Sequence, residues 1–583
     1  MSKSPKIAEL STLSAAAGRL PAWLRDSIEK ILGFSAINKR YALMDAERRH
    51  GSTESFFRLS CKHLPLRYEA TGIEHIPSTG PCVVVSNHPH GMTDGLILGD
   101  ILTSVRPDVK ILLTDYLGGL PELQPYCISV NVYGGNEAAR KNVSALREML
   151  KWLKDGHCLL IFPSGEASTW SWKERRITDS AWKAHIANII RKTEACVVPV
   201  HLFGRTSLRF QVASVFGDVA RLLLFVREFI RDSKMQHKVT IGAPLSSAAI
   251  KLTKDDTALA EYLRICSTLL AKNKHNALCK KQHTEEAIAP HPPQEQLQAE
   301  IDALPASALY VDNKSEHLQV YAAQAGQIPA ILREISILRE ETFRAVQEGT
   351  GKSADSDSFD NDYLHIFLWD KNQHRVAGAY RLGRIDLLLQ KEQGLKNVYN
   401  AAFFDFSPAL LHRLQQGIEL GRAFICADYQ RRTAALDTLW MGIGHFLHQH
   451  PQYRYLYGTV SISQSYSPAS RALILHYLQQ HCMLNDAECR AKAHTPPHHL
   501  NLHGADVLLI KHACTDLALL SHAVKSLENN TRSIPVLLRQ YLKLGGKMLA
   551  FNEDADFGNV LDCLVMVDLH DLPLRMKNRY LSR

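Results

Sequence analysis

Cys82-Val-Val-Val-Ser-Asn87, then His88-Pro-His-Gly-Met-Thr-Asp94, then Gly95-Leu-Ile-Leu-Gly99 is the stretch on which the reading of this 583-residue chain turns. The β-branched run, bounded by Pro81 and Pro89, predicts an interior strand. Gly91, Thr93 and Asp94 then supply turn and N-cap chemistry for a helix. Strand, turn and helix in that order carry the His88 imidazole to the mouth of a sheet and let Asp94 fold back onto it. A carboxylate that fixes the tautomer and favours the imidazolium makes histidine a competent base towards a weak hydroxyl nucleophile. The chemistry suggested is acyl transfer to an alcohol; the blander alternative is a strand-end histidine that only caps.

A second element strengthens the first. His157-Cys-Leu-Leu-Ile-Phe162 predicts another apolar strand, followed at once by Pro163, Ser164, Gly165 and Glu166. Such a loop offers backbone N–H groups, a carboxylate and a hydroxyl at the sheet edge where ligands bind in open α/β folds. Ala139, Val143, Leu146, Leu150 and Leu153 recur at helical spacing and predict a helix over 137–154 feeding that strand. Alternating strands and helices argue for an α/β sandwich.

These blocks, with Gly134-Gly-Asn-Glu-Ala-Ala-Arg140 and Val198-Pro-Val-His201, occur in the order of the four motifs of the glycerolipid (lysophospholipid) acyltransferases, which this half of the chain resembles. The resemblance implies that His88 is the base and Asp94 its partner. The five residues between them match the His-Pro-x-Gly-x-x-Asp branch rather than the commoner spacing of four. It also implies that Arg140, Phe162, Pro163, Ser164, Gly165 and Glu166 hold the acceptor lipid. The family's usual third block is Phe-Pro-Glu-Gly-Thr-Arg, and here Ala167 stands at the arginine. Losing that group removes a bidentate phosphate ligand, although Lys173, Arg175 and Arg176 lie just downstream.

Length alone predicts two or more domains. The formal charge of +9, before 28 histidines are counted, suits an acidic partner or an anionic membrane face. No zinc-finger, RNP or helix-turn-helix signature accompanies it, so nucleic acid is not expected. Twelve cysteines without a CxxC pair indicate neither a disulfide framework nor a metal site, and a reducing cytoplasm is the simplest compartment. No secretory signal or membrane span is expected. Residues 12–34 and 221–231 mix apolar and basic side chains, and read equally as core helices or as interfacial ones.

Residues 275–306 are polar and proline-rich, and read as a linker. Beyond it come a helix at 331–346, an acidic loop taken as flexible at 353–360, a strand at 363–369 and a second at 376–382. Gly417-Ile-Glu419-Leu-Gly-Arg422 and a helix at 434–447 follow, then a strand at 455–463. With Arg339 and Phe343, Asp357 and Asp360, Arg381, and the Glu419/Arg422 pair, this order resembles the GNAT-like acyltransferases that include homoserine-lactone synthases and ornithine N-acyltransferases. Ile534–Gly546 and Asp556-Phe-Gly resemble the ornithine branch. The resemblance implies that Asp357, Asp360 and Glu419 bind the ammonium groups of ornithine, and that Arg381 and Arg422 bind its carboxylate or the donor's carrier. Gln430-Arg-Arg-Thr433 lacks the glycine that normally cradles coenzyme A pyrophosphate, which points to an acyl carrier protein thioester as donor.

The expectation is therefore an α/β chain of two domains. A helical segment over 1–60 leads into an α/β sandwich of the glycerolipid-acyltransferase kind over 61–274, and the linker leads to a GNAT-like mixed domain over 307–583. Together they resemble bifunctional ornithine lipid synthases. The second domain would N-acylate ornithine with a 3-hydroxyacyl group, and the first would O-acylate the lyso-ornithine lipid. No bound cofactor or metal is expected, and the site would be peripheral on the cytoplasmic face of a bacterial inner membrane. The alternatives are a lysophosphatidate-type acyltransferase with a carrier-binding module, or a synthase using another amino acid.

Overall fold

The computed structural model describes residues 22–114, 120–131, 136–172, 175–215, 218–272, 285–430, 432–486, 488–500, 514–554 and 559–581. Residues 1–21 of the expected helical segment, Gly134 and Gly135, Lys173, residues 275–284 of the expected linker, Arg431 and Asp556-Phe-Gly lie outside them. The chain divides into two compact units, one of Met1–Lys274 with Leu502–Ser533 and one of His275–Asn501 with Ile534–Arg583.

The first unit is built on strands β1 (Arg67–Thr71), β2 (Cys82–Ser86), β3 (Val109–Thr114), β4 (Cys127–Val130), β5 (Cys158–Ile161), β8 (Cys196–Phe203) and β9 (Gln236–Ile241), with a separate ribbon of β6 (Thr169–Ser171) and β7 (Arg176–Thr178). The sheet order is β1-β9-β8-β2-β5-β3-β4, parallel except for β8 against β9. Every residue of β2 and of β5 is buried, as expected of central parallel strands covered on both faces. Their apolar runs therefore carry no alternation. Helix Met92–Val105 starts at Gly91, whose φ of 66° provides the sharp exit from β2. Asn87 closes the end of β2 onto β8, its amide exchanging two hydrogen bonds with the backbone of Leu202 at 2.8 and 2.9 Å.

His90 is sealed beneath this turn. Its Nδ1 meets Asp232 Oδ2 at 3.2 Å and its Nε2 the Phe203 carbonyl at 3.1 Å. Burial pulls the imidazole down, but the Asp232 hydrogen bond and the charges of Asp94 and Asp232 outweigh it and lift it to about 9. The pair ties the β2 turn to the end of helix Asp218–Asp232, which buries Val226 and Phe229. Within the stretch 221–231, Val226 and Phe229 therefore pack into the core. In helix Ala22–Leu32, Trp23 and Ile31 are exposed while Ile28 packs on the core.

The second unit is an eight-stranded mixed sheet of β10 (Leu309–Asn313), β11 (Leu318–Gln324), β12 (Leu364–Asp370), β13 (Arg375–Arg384), β15 (Gly417–Ile425), β16 (Tyr455–Ile462), β18 (Lys547–Asp554) and β19 (Val560–Asp568). A short pair is formed by β14 (Phe404–Phe406) and β17 (Ala491–Ala493). The order is β10-β11-β12-β13-β15-β16-β19-β18. All neighbours are antiparallel except β15 and β16, which pair in parallel only from Gly417–Glu419 to Tyr455–Tyr457. β15 continues to Ile425 and β16 to Ile462, so the strands part beyond Glu419. At the fork a Cβ on Gly458 would lie 2.1 Å from the Leu420 carbonyl oxygen.

Three boundaries differ from the sequence reading. Gln294–Ala303 of the expected linker is a helix whose Leu297 and Ile301 are buried in the second core. Two apolar residues four apart suffice to dock one face, and the flanking prolines mask that signal. Asp516–Ser533, expected in the second domain, belongs to the first unit. Its helix Leu517–Leu527 brings Ser526 Oγ to the Ala243 carbonyl and His522 to Ser246. The acidic loop at 353–360 is pinned rather than flexible. Asp357 and Asp360 form reciprocal caps on the short helix Ser358–Asn361, and both are ion-paired to arginine.

Two measurements check this frame. Gly458→Ala is expected to destabilise the second unit by about 1–3 kcal/mol or more in denaturant unfolding, because the obstacle is backbone rather than a side chain that can move. His90 has a folded-state pKa above that of the unfolded chain, so its contribution is complete below about pH 6.5 and is lost as pH rises through about 9. The expected loss is on the order of 3 kcal/mol. Asp232→Asn should flatten that slope, and parallel slopes in the two proteins would contradict the assignment.

Candidate functional site

The C-terminal ends of β2 and β5 bring the first cluster together. His88 Nδ1 and Asp94 Oδ2 are 3.0 Å apart, with Asp94 wholly buried and the His88 side chain 17% exposed. Asp94 lies in the first turn of its helix, where the axial dipole favours an anion, and the same oxygen accepts the His90 N–H at 2.8 Å. The carboxylate is thus fixed twice. It makes Nδ1 the protonated nitrogen of the imidazole and leaves Nε2 as the acceptor. Among the described residues Nε2 has no hydrogen-bond partner.

Phe162 stacks on His88 with ring centroids 4.0 Å apart. β2 and β5 pair in register up to Val85 and Ile161, which places these two rings at the same sheet edge. Gly165 takes φ 76° in a turn closed from its N–H to the Phe162 carbonyl at 2.9 Å. Pro163 is anchored through its carbonyl by the Lys183 N–H at 3.1 Å. Ser164 is buried and its hydroxyl donates to the Glu166 carbonyl at 2.9 Å, which leaves the Glu166 side chain on the exposed side of the loop. The loop returns to the histidine at Ser168, whose N–H donates to the His88 carbonyl at 2.8 Å. Arg140 is exposed on helix Asn136–Lys154 and makes no hydrogen bond or ion pair among the described residues. The structure brings His88, Asp94 and the 162–166 loop together and leaves Arg140 outside that cluster.

Asp179 is the residue that sequence reasoning missed. It accepts from the His88 N–H at 3.2 Å, the Ser168 hydroxyl at 2.5 Å and the Trp182 indole at 3.1 Å. Its distance of 91 positions from His88 gives no local signal.

In the second unit the expected residues converge, but on one another. Arg339 reaches Asp360 at 2.9 Å, Arg381 reaches Asp357 at 2.5 Å and Asp360 at 3.1 Å, and Arg422 reaches Asp355 at 3.3 Å and Asp357 at 3.4 Å. Burial would raise Asp360, but Arg339 and Arg381 hold it at about 2. Arg381 also lies beneath the rings of Phe359, Tyr363 and Tyr399, so its remaining face is covered by aromatic quadrupoles. Phe343 packs against the core beside this network.

Glu419 accepts from the N–H groups of Tyr399 at 3.2 Å and Asn400 at 2.8 Å, and from the Tyr363 hydroxyl. Asp357, Asp360 and Glu419 therefore all have internal partners. Arg381 and Arg422 are likewise engaged by carboxylates. Four of these five are joined with Arg339 in an ion-paired network, and Glu419 is held by the backbone of Tyr399 and Asn400.

Two other carboxyl groups lie at the fork. Asp562, on β19, accepts from the Ser461 hydroxyl of β16 at 2.6 Å. Burial, with the nearby Asp554 charge, pushes it up to about 7. Glu348 feels the Asp562 charge and is also raised to about 7, chiefly by burial, although its side chain keeps partial access to solvent. The Ser463 hydroxyl donates to the Val346 carbonyl at 2.6 Å, which ties the Glu348 segment to β16. A carboxyl pair poised near neutrality beside a forked sheet can exchange a proton with an amine. Neither residue belongs to a short motif, and they lie more than two hundred positions apart.

Residues 40–277 match the Acyltransferase family model, and residues 338–441 match the Acetyltransferase (GNAT) domain. A glycine N(alpha)-acyltransferase of Bacteroides thetaiotaomicron is 31% identical over 45% of this chain and 81% of its own length. The glycine N(alpha)-acyltransferase of Phocaeicola vulgatus is 30% identical over 49% of this chain and 90% of its own. A lyso-glycine lipid O-acyltransferase from P. vulgatus is 29% identical over 38% of this chain and 79% of its own. Among the described residues no helix is long and apolar enough to cross a membrane. An imidazole with a free acceptor nitrogen in one unit, a forked sheet in the other and relatives of both kinds lead to one conclusion: the chain is an enzyme that transfers acyl groups, and it belongs to the acyltransferase family of these N- and O-acylating relatives.

Proposed function

We propose that the chain makes a doubly acylated amino-acid lipid in two steps. The observation that carries this reading is the His88–Asp94 pair, with Nε2 left as a proton acceptor, in a chain similar to both an N(alpha)-acyltransferase and a lyso-lipid O-acyltransferase. In the first step the amine of the amino acid attacks a 3-hydroxyacyl thioester in the second unit. The Glu348–Asp562 pair takes the ammonium proton, the amide forms and the carrier leaves as a thiol.

In the second step His88 Nε2 takes the proton of the lipid's 3-hydroxyl as that oxygen attacks a second thioester. Asp94 stabilises the imidazolium, which returns the proton to the departing sulfur. The head group of this reading is ornithine, whose side-chain ammonium suits the exposed Glu166 better than the family's usual arginine would. Glycine, the amino acid in the relatives' names, is the alternative, and the donor is an acyl carrier protein thioester. Holding both units on one chain raises the effective concentration of the mono-acylated intermediate. The enzyme would work peripherally on the cytoplasmic face of a bacterial inner membrane.

Expression in a host without aminolipids, followed by lipid mass spectrometry, tests this directly. Wild type should yield the di-acylated lipid and His88→Ala the mono-acylated one; di-acylated lipid from His88→Ala would overturn the assignment of the first unit. Feeding labelled ornithine or glycine identifies the head group. For the second unit, N-acylation should rise through about pH 7 as the carboxyl pair ionises. Asp562→Asn should lower the rate by roughly 10²-fold or more and remove that limb. An unchanged pH profile in this variant would assign the proton to another group.

A further inference from the structure

The ribbon of β6 and β7 presents large apolar side chains to solvent beside the His88 cluster. Trp170 and Trp172, two apart on β6 and just past its end, project to the same side and are 41% and 78% exposed. Their rings meet edge to face at 6.2 Å. Leu208, 79% exposed, opens the helix Leu208–Val215. Gln211, one turn along that helix, accepts from the Trp170 N–H at 2.8 Å, so ribbon and helix form one surface. Arg175, Arg205 and Arg209, each within three positions of Trp172 or Leu208 along the chain, are exposed. Single exposed apolar residues are ordinary, whereas two tryptophans and a leucine inside a basic rim mark an interaction site.

The patch is wired to the candidate site. Gln211 donates to the Ser168 carbonyl at 3.2 Å, and Ser168 donates to the His88 carbonyl at 2.8 Å. Whatever seats the patch therefore fixes the mouth at which His88 opens.

We propose that Trp170, Trp172 and Leu208, rimmed by Arg175, Arg205 and Arg209, dock the first unit onto an anionic lipid bilayer. Tryptophan suits the bilayer interface because its ring is amphipathic, and arginine adds attraction to anionic headgroups that falls with salt. The inference rests on the reading of the first unit as a lipid O-acyltransferase and adds where that lipid is met. A lyso-lipid whose acyl chain remains in the membrane would present its hydroxyl at the His88 mouth without leaving the bilayer.

Cosedimentation of the full chain with vesicles tests it, using phosphatidylcholine alone or with phosphatidylglycerol. Wild type should bind the anionic vesicles more strongly, and less so at high salt. A Trp170→Ser/Trp172→Ser/Leu208→Ser variant should lose about tenfold or more of that binding, while keeping turnover on a short-chain, water-soluble acceptor. Arg205→Gln/Arg209→Gln should weaken binding by about fivefold per arginine and reduce the salt dependence. Equal sedimentation of the triple variant and wild type would overturn the proposal. So would unchanged vesicle binding with a raised KM for the carrier thioester, since the patch would then seat an acidic protein. A wild-type enzyme that binds vesicles but never acylates the short-chain acceptor would contradict the O-acyltransferase reading and leave the docking result intact.

Discussion

A carboxylate sealed in the first turn of a helix holds the imidazole of His88 by one hydrogen bond, and the architecture of the first unit serves to keep that bond in place. Asp94 is fixed from behind by the His90 N–H. His90 is itself fixed by Asp232 at the end of a helix that reaches the same turn from more than a hundred residues away. Phe162 covers one face of the ring, and Asp179 holds the His88 N–H and the Ser168 hydroxyl. Each of these contacts removes a freedom the imidazole would otherwise have. What remains is an acceptor nitrogen at the edge of a parallel sheet, which is the preorganisation that acyl transfer to a hydroxyl demands.

The second unit meets a different electrostatic problem. Arg339, Arg381, Asp355 and Asp360 are buried side by side next to the half-buried Arg422 and Asp357, and an unpaired buried member would cost several kcal/mol. The pairing of Arg339, Arg381 and Arg422 with Asp355, Asp357 and Asp360 cancels the charges within the protein. That network holds the 355–361 segment against the sheet, while Glu419 holds the turn at 399–400. Glu348 and Asp562 have no arginine bonded to them among the described residues. Their carboxyl groups are raised to about 7, which sets them apart from the ion-paired carboxylates of the same acidic region.

The parts legible in the sequence are those whose partners are close along the chain. His88 and Asp94 are six positions apart on a strand-turn-helix whose local signals agree, and Phe162–Glu166 follows an apolar run whose end is marked by Pro163. The two-unit α/β organisation was readable for the same reason. Asp179, Asp232 and Asp562 were not, because their roles arise from contacts 91 to 142 positions apart. Charged residues such as Asp357, Arg381 and Glu419 were visible as an ordered set, but their partners were not, since a sequence does not reveal which opposite charges neutralise each other. The helix Gln294–Ala303 was hidden by the prolines that precede it.

The location of a single proton tests the account most directly. Side-chain nitrogen NMR of histidine-labelled enzyme, with His88→Gln identifying the resonance, reports which ring nitrogen of neutral His88 carries hydrogen. The account predicts hydrogen on Nδ1, shared with Asp94, and a shift towards the other tautomer in Asp94→Ala. Hydrogen on Nε2 in the wild-type enzyme, or a spectrum indifferent to that substitution, would contradict it.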